Sequence, residues 1–308
     1  MIERITVKQA VLSTLAYFEL FEVPVSRAEL ADTLLFLEPE ERALDLYLKD
    51  SSYVHIRDGQ LSTRADEDFW NEWAVKQERA RDYFKKVARW RWIFSLCPFV
   101  RLTCVCNSLP ISDVREDSDI DVFVVTQPGH LFTSRLFLTV LTSLFGVRRH
   151  GRKVRARFCL SFYVTEEALD LSGLALRDSD GAVFDPYLAF WMRSLEPIAG
   201  SYAVYEQLLE KNRYWLSAYF KSDVKRKRYF RTRQGVLALA HRFFEWILRS
   251  DRVERWCREQ QWGRALEKYQ KLADKSGTVI SDQMLKFHDH DARQEVREEW
   301  KRKVERMG

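Results

Sequence analysis

The sequence has no Gly-rich phosphate loop of the P-loop kind, no GxGxxG, no nucleophile elbow and no HExxH. Those gaps argue against kinase-like NTPases, dinucleotide-binding Rossmann domains, serine hydrolases and zincins. The five cysteines, Cys97, Cys104, Cys106, Cys159 and Cys257, lack CxxC or Cys/His zinc spacing and sit mostly in apolar runs. They read as buried thiols of a reducing compartment, and the cytoplasm is the expected location. The stretch Ile93–Cys106 is the most apolar, yet it is shorter than a membrane span and contains Pro98 and Arg101. A transmembrane segment is therefore not expected, and the N-terminus shows no secretion signal. There is no internal repeat of domain-building length and no low-complexity tract.

A large excess of one charge is also missing. Fifty Lys and Arg stand against 45 Asp and Glu, a formal net charge of +5, so any nucleic-acid binding must be local rather than spread over the whole surface. What is present is an ordinary folding composition: 308 residues, 46% hydrophobic and 31% charged, enough for about two domains and a core that needs neither disulfide nor metal.

The pattern divides the chain into four stretches. Residues 1–65 predict a first helix from Ile5 to Phe21, a second opened by the capping box Ser26/Glu29, a third opened at Pro39, and a hairpin around Arg57-Asp58-Gly59. Three helices and a hairpin resemble a winged helix. Its third helix, with Glu40, Glu41, Arg42, Asp45 and Lys49, lacks a basic reading face, so it is expected to pack against protein rather than to read DNA. Residues 66–98 read as a Trp-rich connecting helix, and 99–184 as a small mixed sheet with strands at Phe99–Cys106, Ile120–Thr126 and Arg155–Val164 around a helix at Leu131–Phe145. Residues 185–308 read as a helical C-terminal domain. The fold class is α+β.

One constellation carries chemistry: Val105-Cys106-Asn107-Ser108, ten intervening residues, then Asp119-Ile120-Asp121-Val122. Alternation along a strand puts Asp119 and Asp121 on one face and Ile120, Val122 and Val124 on the other. Two such carboxylates repel one another unless a cation joins them, and Mg²⁺, a hard ion that prefers oxygen ligands and bridges to phosphates, is the natural partner. Asp-x-Asp on its own is common and is also what a solvated strand edge looks like.

With the Asn-Ser pair at this spacing, the segment resembles the nucleotidyltransferase superfamily that includes DNA polymerase beta and the small antibiotic nucleotidyltransferases. The signature there is a hydrophobic residue, Gly, Gly or Ser, a loop of this length, then Asp-hydrophobic-Asp. Asn107 stands at the first Gly and tolerates positive φ; Leu109-Pro110-Ile111-Ser112 stands where many relatives carry an Arg-Gly pair. Segments at 158–163, 185–191 and 284–291 are similar to parts of uncharacterised prokaryotic proteins with a nucleotidyltransferase domain.

The resemblance implies catalytic and metal-binding roles for Asp119 and Asp121, one or two Mg²⁺ ions, and a nucleoside triphosphate held by Asn107, Ser108 and Ser118. The reaction would move a nucleoside monophosphate to the hydroxyl of an unknown acceptor: a small molecule, an RNA end or a protein. A third carboxylate is expected on the later strand. If Phe158, Leu160 and Phe162 face the core, then Arg157, Cys159, Ser161 and Tyr163 face the site, and none is an acid. Glu166 and Glu167 follow the strand and could swing inward to supply the third carboxylate, although capping of the next turn after Thr165 explains them at least as well. The vacant position keeps open a catalytically silent binding protein of the same fold. Two basic runs, 148–157 and 221–233, are candidate phosphate or nucleic-acid surfaces, with a solvated basic face as the alternative for both and the better account of the second. His288-Asp289-His290-Asp291 carries metal-ligating residue types, but only His288 and Asp291 would share a helical face, and a local terminus accounts for it better.

Overall fold

The computed structural model describes residues 5–38, 40–222, 235–272, 275–287 and 291–307. Helix α1 (Val7–Glu19) opens with a capping box in which Gln9 N–H donates to Thr6 and the Gln9 side chain accepts from Thr6 N–H. Every residue from Ala10 to Phe18 is buried, so this helix is enclosed on all sides rather than lying on a surface. Strand β1 (Val25–Ser26) leads into α2 (Arg27–Asp32) through the Ser26/Glu29 capping box. Then come α3 (Glu41–Asp50), β2 (His55–Arg57) and β3 (Gln60–Ser62), the last two joined at Asp58 and Gly59, both with positive φ. Positive φ at both turn residues suits the right-handed twist of a hairpin, which is why Asp-Gly stands there. The three strands form an antiparallel sheet in the order β1-β3-β2.

Asp66 caps the 30-residue helix α4 (Glu67–Leu96) by accepting from Phe69 N–H. Its first turns bury Phe69, Trp70 and Trp73 with Val23. Its later turns bury Ala80, Tyr83, Val87, Ile93 and Phe94 against a central sheet. That sheet comprises β4 (Val100–Val105), β5 (Ile120–Thr126) and, after α5 (Leu131–Leu144), β6 (Phe158–Thr165). Strands β5 and β6 are parallel, with α5 as the crossover, while β4 pairs antiparallel to β5. Both faces are covered: Leu102, Cys104, Phe123 and Val125 join the core with α1, while Ile120, Val122 and Val124 join the core under α4 and α5. Burial on both sides makes these strands near-continuous apolar runs.

The stretch after Asp185 is not all helical, contrary to the expectation for 185–308. Besides α6 (Pro186–Ser194), α7 (Tyr202–Leu216), α8 (Val236–Leu248), α9 (Asp251–Lys271) and α10 (Arg293–Met307), it holds β7 (Glu196–Gly200), β8 (Thr278–Ile280) and β9 (Met284–Phe287). These three complete a six-stranded mixed sheet in the order β7-β4-β5-β6-β9-β8. Strand β7 was hidden by its own breakers. Pro197 falls beside a register shift on an edge strand, where a missing N–H is tolerated, and Gly200, at φ +106°, lies where a Cβ would meet Arg101 O at 2.3 Å. Strands β8 and β9 are too short for periodicity to show. Helix α10 also returns to the N-terminal elements, where Trp300 Nε1 donates to Ser13 O. The C-terminal residues thus add three strands to the central sheet and a helix against α1. No helix among the described residues is long and apolar enough to cross a membrane.

Candidate functional site

The site is assembled at the start of β5. Asn107 turns the chain out of β4 with φ +59°, the left-handed conformation for which glycine or asparagine is suited. Cys106 N–H donates to Asp121 O, tying the turn to β5. The Asn107 side chain accepts from Trp191 Nε1 at 2.8 Å and hydrogen-bonds the Asp121 carboxylate. The following loop is anchored inward: Leu109 and Val114 are fully buried, and Asp113 pairs with Lys76 Nζ at 2.9 Å. Leu109-Pro110-Ile111-Ser112 therefore closes a buried turn, with Ser112 N–H donating to Leu109 O.

Asp119 and Asp121 converge with Cys159, with ligand atoms within 4.8 Å of one another. Strand pairing sets Cys159 opposite Asp121. Beyond it a register shift places Phe162 opposite Phe123, so that the alternation expected along β6 breaks. Tyr163 consequently turns to the opposite core, fully buried with Leu160 and Phe158, while Phe162 packs on Phe123 on the Asp121 side. Tyr163 is thus not a site-facing residue. Arg157 is also turned away, its guanidinium on Gly146 O. The residue beside the aspartates on the neighbouring strand is Cys159.

Charge in the site is only partly compensated. Arg149 Nη1 lies 2.7 Å from Asp119 Oδ2 and 3.7 Å from Cys159 Sγ. Burial, followed by the charge of Asp119, pushes Asp121 up to about 6. Burial and the two carboxylates push the Cys159 thiol up to about 12. The three groups form the floor of a cleft of about 730 Å³ that is also lined by Arg135, Arg148, Arg149 and Arg264. Asp121 is shared with a smaller cavity of about 210 Å³, bounded by Ser108, Tyr17, Tyr187 and Trp191. Ser108 therefore adjoins Asp121 but does not line the cleft onto which Asp119 opens.

Ser118 is engaged by its own loop, its Oγ accepting from Arg115 N–H at 2.9 Å and its carbonyl from Tyr83 Oη and Ala156 N–H. Glu166 and Glu167 begin a 3₁₀ turn after Thr165, which pairs with Thr126 at the far end of β5 from Asp121. Of the first basic run, Arg148 and Arg149 reach the cleft, whereas Arg155 faces Glu116. Residues 223–233 of the second run lie outside the described residues, as do His288, Asp289 and His290; Asp291 is bound to Arg293. Arg135 and Arg264 were missed by motif reading. Arg135 had a signal, being the single charged residue of the otherwise uncharged α5.

No protein-family model matches the chain, and no match is found among the curated proteins or the solved structures.

The donor set bears on which cation would fit. Two carboxylates suit Mg²⁺, which ordinarily takes one or two carboxylates and completes its shell with water and substrate phosphates. The thiol of Cys159 is a soft ligand that Mg²⁺ does not favour, so Asp119 and Asp121 fit the ion and Cys159 does not.

Proposed function

We propose that the protein is a nucleotidyltransferase that moves a nucleoside monophosphate from a triphosphate to an acceptor hydroxyl, with Asp119 and Asp121 at the reacting centre. The observation that carries this reading is the convergence of the two carboxylates, one just before β5 and one at its second residue, at the floor of an arginine-lined cleft. Mg²⁺ held by Asp119 and Asp121 would neutralise charge on the transferring phosphate and lower the pKa of the attacking hydroxyl. The chain's own residues do the rest. Asn107 fixes the Asp121 carboxylate from the turn after β4, and Trp191 fixes Asn107 in turn. Arg149 holds Asp119 in place and offsets its charge.

Two features favour the second reading, a silent member of the same fold that binds nucleotide, nucleic acid or a protein partner. Cys159 stands where a third carboxylate is expected, and Arg149 already provides a counter-charge to Asp119. The N-terminal elements, in the order α1-β1-α2-α3-β2-β3, support a winged helix used for packing. Tyr17 stacks on Phe190 at 3.7 Å, and Arg27 is paired with Asp45 on α3.

The test is to incubate the protein with Mg²⁺, each labelled triphosphate and a cell extract, and to look for label on any acceptor. Transfer should fall by about two to four powers of ten in Asp119→Ala and in Asp121→Ala. Cys159→Asp, which supplies a carboxylate beside Asp121, should raise a weak activity. No transfer by the unaltered protein, with nucleotide binding unchanged in the aspartate variants, would leave the silent reading.

A further inference from the structure

The cleft over Asp119 is far more basic than its floor requires. Four arginines line it, against only two carboxylates, Asp119 and Asp121. Among the described residues Arg149 alone of the four forms an ion pair. Arg135, Arg148 and Arg264 come from three different elements, α5, the segment before β6, and α9, so their convergence is a product of the fold rather than of one charged run.

Arg135 is the most informative. Its Nη1 donates to Gln261 Oε1 at 2.7 Å, and its guanidinium lies 5.0 Å from the centre of the Phe287 ring. Gln261 is itself fixed by donating to Phe132 O and Cys257 O. The guanidinium is thus held rigidly, yet its Nε is buried with no hydrogen-bond partner. Burial pushes its pKa down, and the nearby charge of Arg148 adds to the effect. A guanidinium stays charged under such pressure, so the fold is holding two like charges together with a donor left over. A buried donor left unsatisfied calls for an explanation, and this one belongs to a guanidinium on the wall of an arginine-lined cleft.

We propose that this cleft binds a short chain of phosphates, gripped by Arg135, Arg148 and Arg264 rather than by the Ser108 turn. The planar guanidinium fork matches phosphate oxygens two at a time, and three forks from three sides suit several linked phosphates better than one. The cleft, at about 730 Å³, has the size of a small-molecule site and could take a nucleotide-sized ligand. The proposal deepens the transferase reading and rests on it only for which reactant carries the phosphates; the anion site stands without it.

Tripolyphosphate, titrated calorimetrically into the full chain in chelator and without metal, tests it. Binding should be seen, should weaken as salt is raised, and should weaken about ten-fold in Arg264→Gln and in Arg135→Lys. Arg81→Gln, an exposed change on α4 outside the cleft, should leave it unchanged. Arg264 is exposed, so its variant remains informative if the Arg135 variant folds poorly. Absence of binding, or equal loss in Arg81→Gln, overturns the proposal. A nucleoside triphosphate that displaces tripolyphosphate assigns the phosphates to the donor, and simultaneous binding of both assigns them to a phosphorylated acceptor. Tripolyphosphate binding with the expected variant losses but no label transfer would remove the transferase reading and leave the anion site. Transfer at an unchanged KM for triphosphate in Arg264→Gln, with tripolyphosphate binding also unchanged, would do the reverse.

Discussion

At Asp185 and Asp291 two carboxylates close on Arg293; at Asp119 and Asp121 two carboxylates face Arg149. In the first cluster the side chains of Asp185, Asp291 and Arg293 are 0%, 8% and 10% exposed. Asp185 caps α6 by accepting from Leu188 N–H, accepts again from Leu176 N–H, and receives Arg293 Nη1 at 3.4 Å. Asp291 accepts from Arg293 Nε at 2.7 Å, and Arg293 reaches Leu174 O as well. Burial pushes Asp185 up in spite of its bonds, whereas at Asp291 the bonds to Arg293 overcome burial and hold it below its ordinary value. In the second cluster Arg149 is 49% exposed and touches one carboxylate only. Asp121, pushed up by burial and by Asp119, is left with a single side-chain amide and a thiol for company. The same residue types thus give a completed clasp in one place and an uncompleted one at the floor of a cleft. Completion marks structure; incompleteness facing a cavity marks a place for a ligand.

The comparison breaks most visibly at Asp185. Its removal leaves Arg293 buried with one partner fewer and takes the cap from α6, so Asp185→Ala should destabilise the chain by about 3–5 kcal/mol. Denaturant unfolding measures this, and transfer per folded molecule should not change. A loss under about 1 kcal/mol, the size of an ordinary exposed ion pair, would mean that the buried clasp is no stronger than a surface contact.

Asp121 should respond in the opposite direction. Its pKa, near 6 when folded against an ordinary 3.8, means that the folded chain holds this proton more tightly than the unfolded one. The penalty for its charge is therefore complete above pH 6 and is relieved as pH falls through 6 toward 4. Asp121→Asn, which carries no charge to desolvate, should stabilise the metal-free protein by about 3 kcal/mol at pH 8 and by less than about 1 kcal/mol at pH 4. Thermal unfolding of both proteins in chelator across that range gives the difference directly, and a difference that does not vary with pH would remove Asp121 from the strained cluster.

Much of this was legible in the chain because local chemistry and tertiary structure agree. The Ser26/Glu29 cap, the Asp58-Gly59 turn, the strand over Ile120–Thr126 and the positive φ of Asn107 each follow from residue type. The missed parts depend on partners distant in sequence. Strand β7 is stabilised as an edge by β4 despite Pro197 and Gly200, and β8 and β9 by each other and by β6. In the site, Asp119, Asp121 and Asn107 were visible from their spacing, and Cys159 from alternation up to the register shift that turns Tyr163 away. Arg264 was not visible at all, since nothing in α9 says that it will reach the cleft.

The smallest effect separates the two serines of the motif. Ser118 Oγ closes the turn ahead of Asp119 by accepting from Arg115 N–H, while the Ser118 carbonyl receives Tyr83 and Ala156 whatever the side chain. Replacing the hydroxyl removes one partly exposed hydrogen bond, so Ser118→Ala should cost about 1 kcal/mol, a fall of about 2 °C in Tm for a chain of this length. Because that hydroxyl is engaged within the loop and does not line the cleft, tripolyphosphate and nucleotide affinity should remain as they were. Ser108→Ala removes a hydroxyl beside Asp121 without breaking any side-chain bond of the loop, and should leave Tm alone. If instead Ser118→Ala weakens nucleotide binding ten-fold at unchanged Tm, the hydroxyl leaves Arg115 when ligand arrives, and the turn before Asp119 belongs with the unfinished cluster rather than with the scaffold.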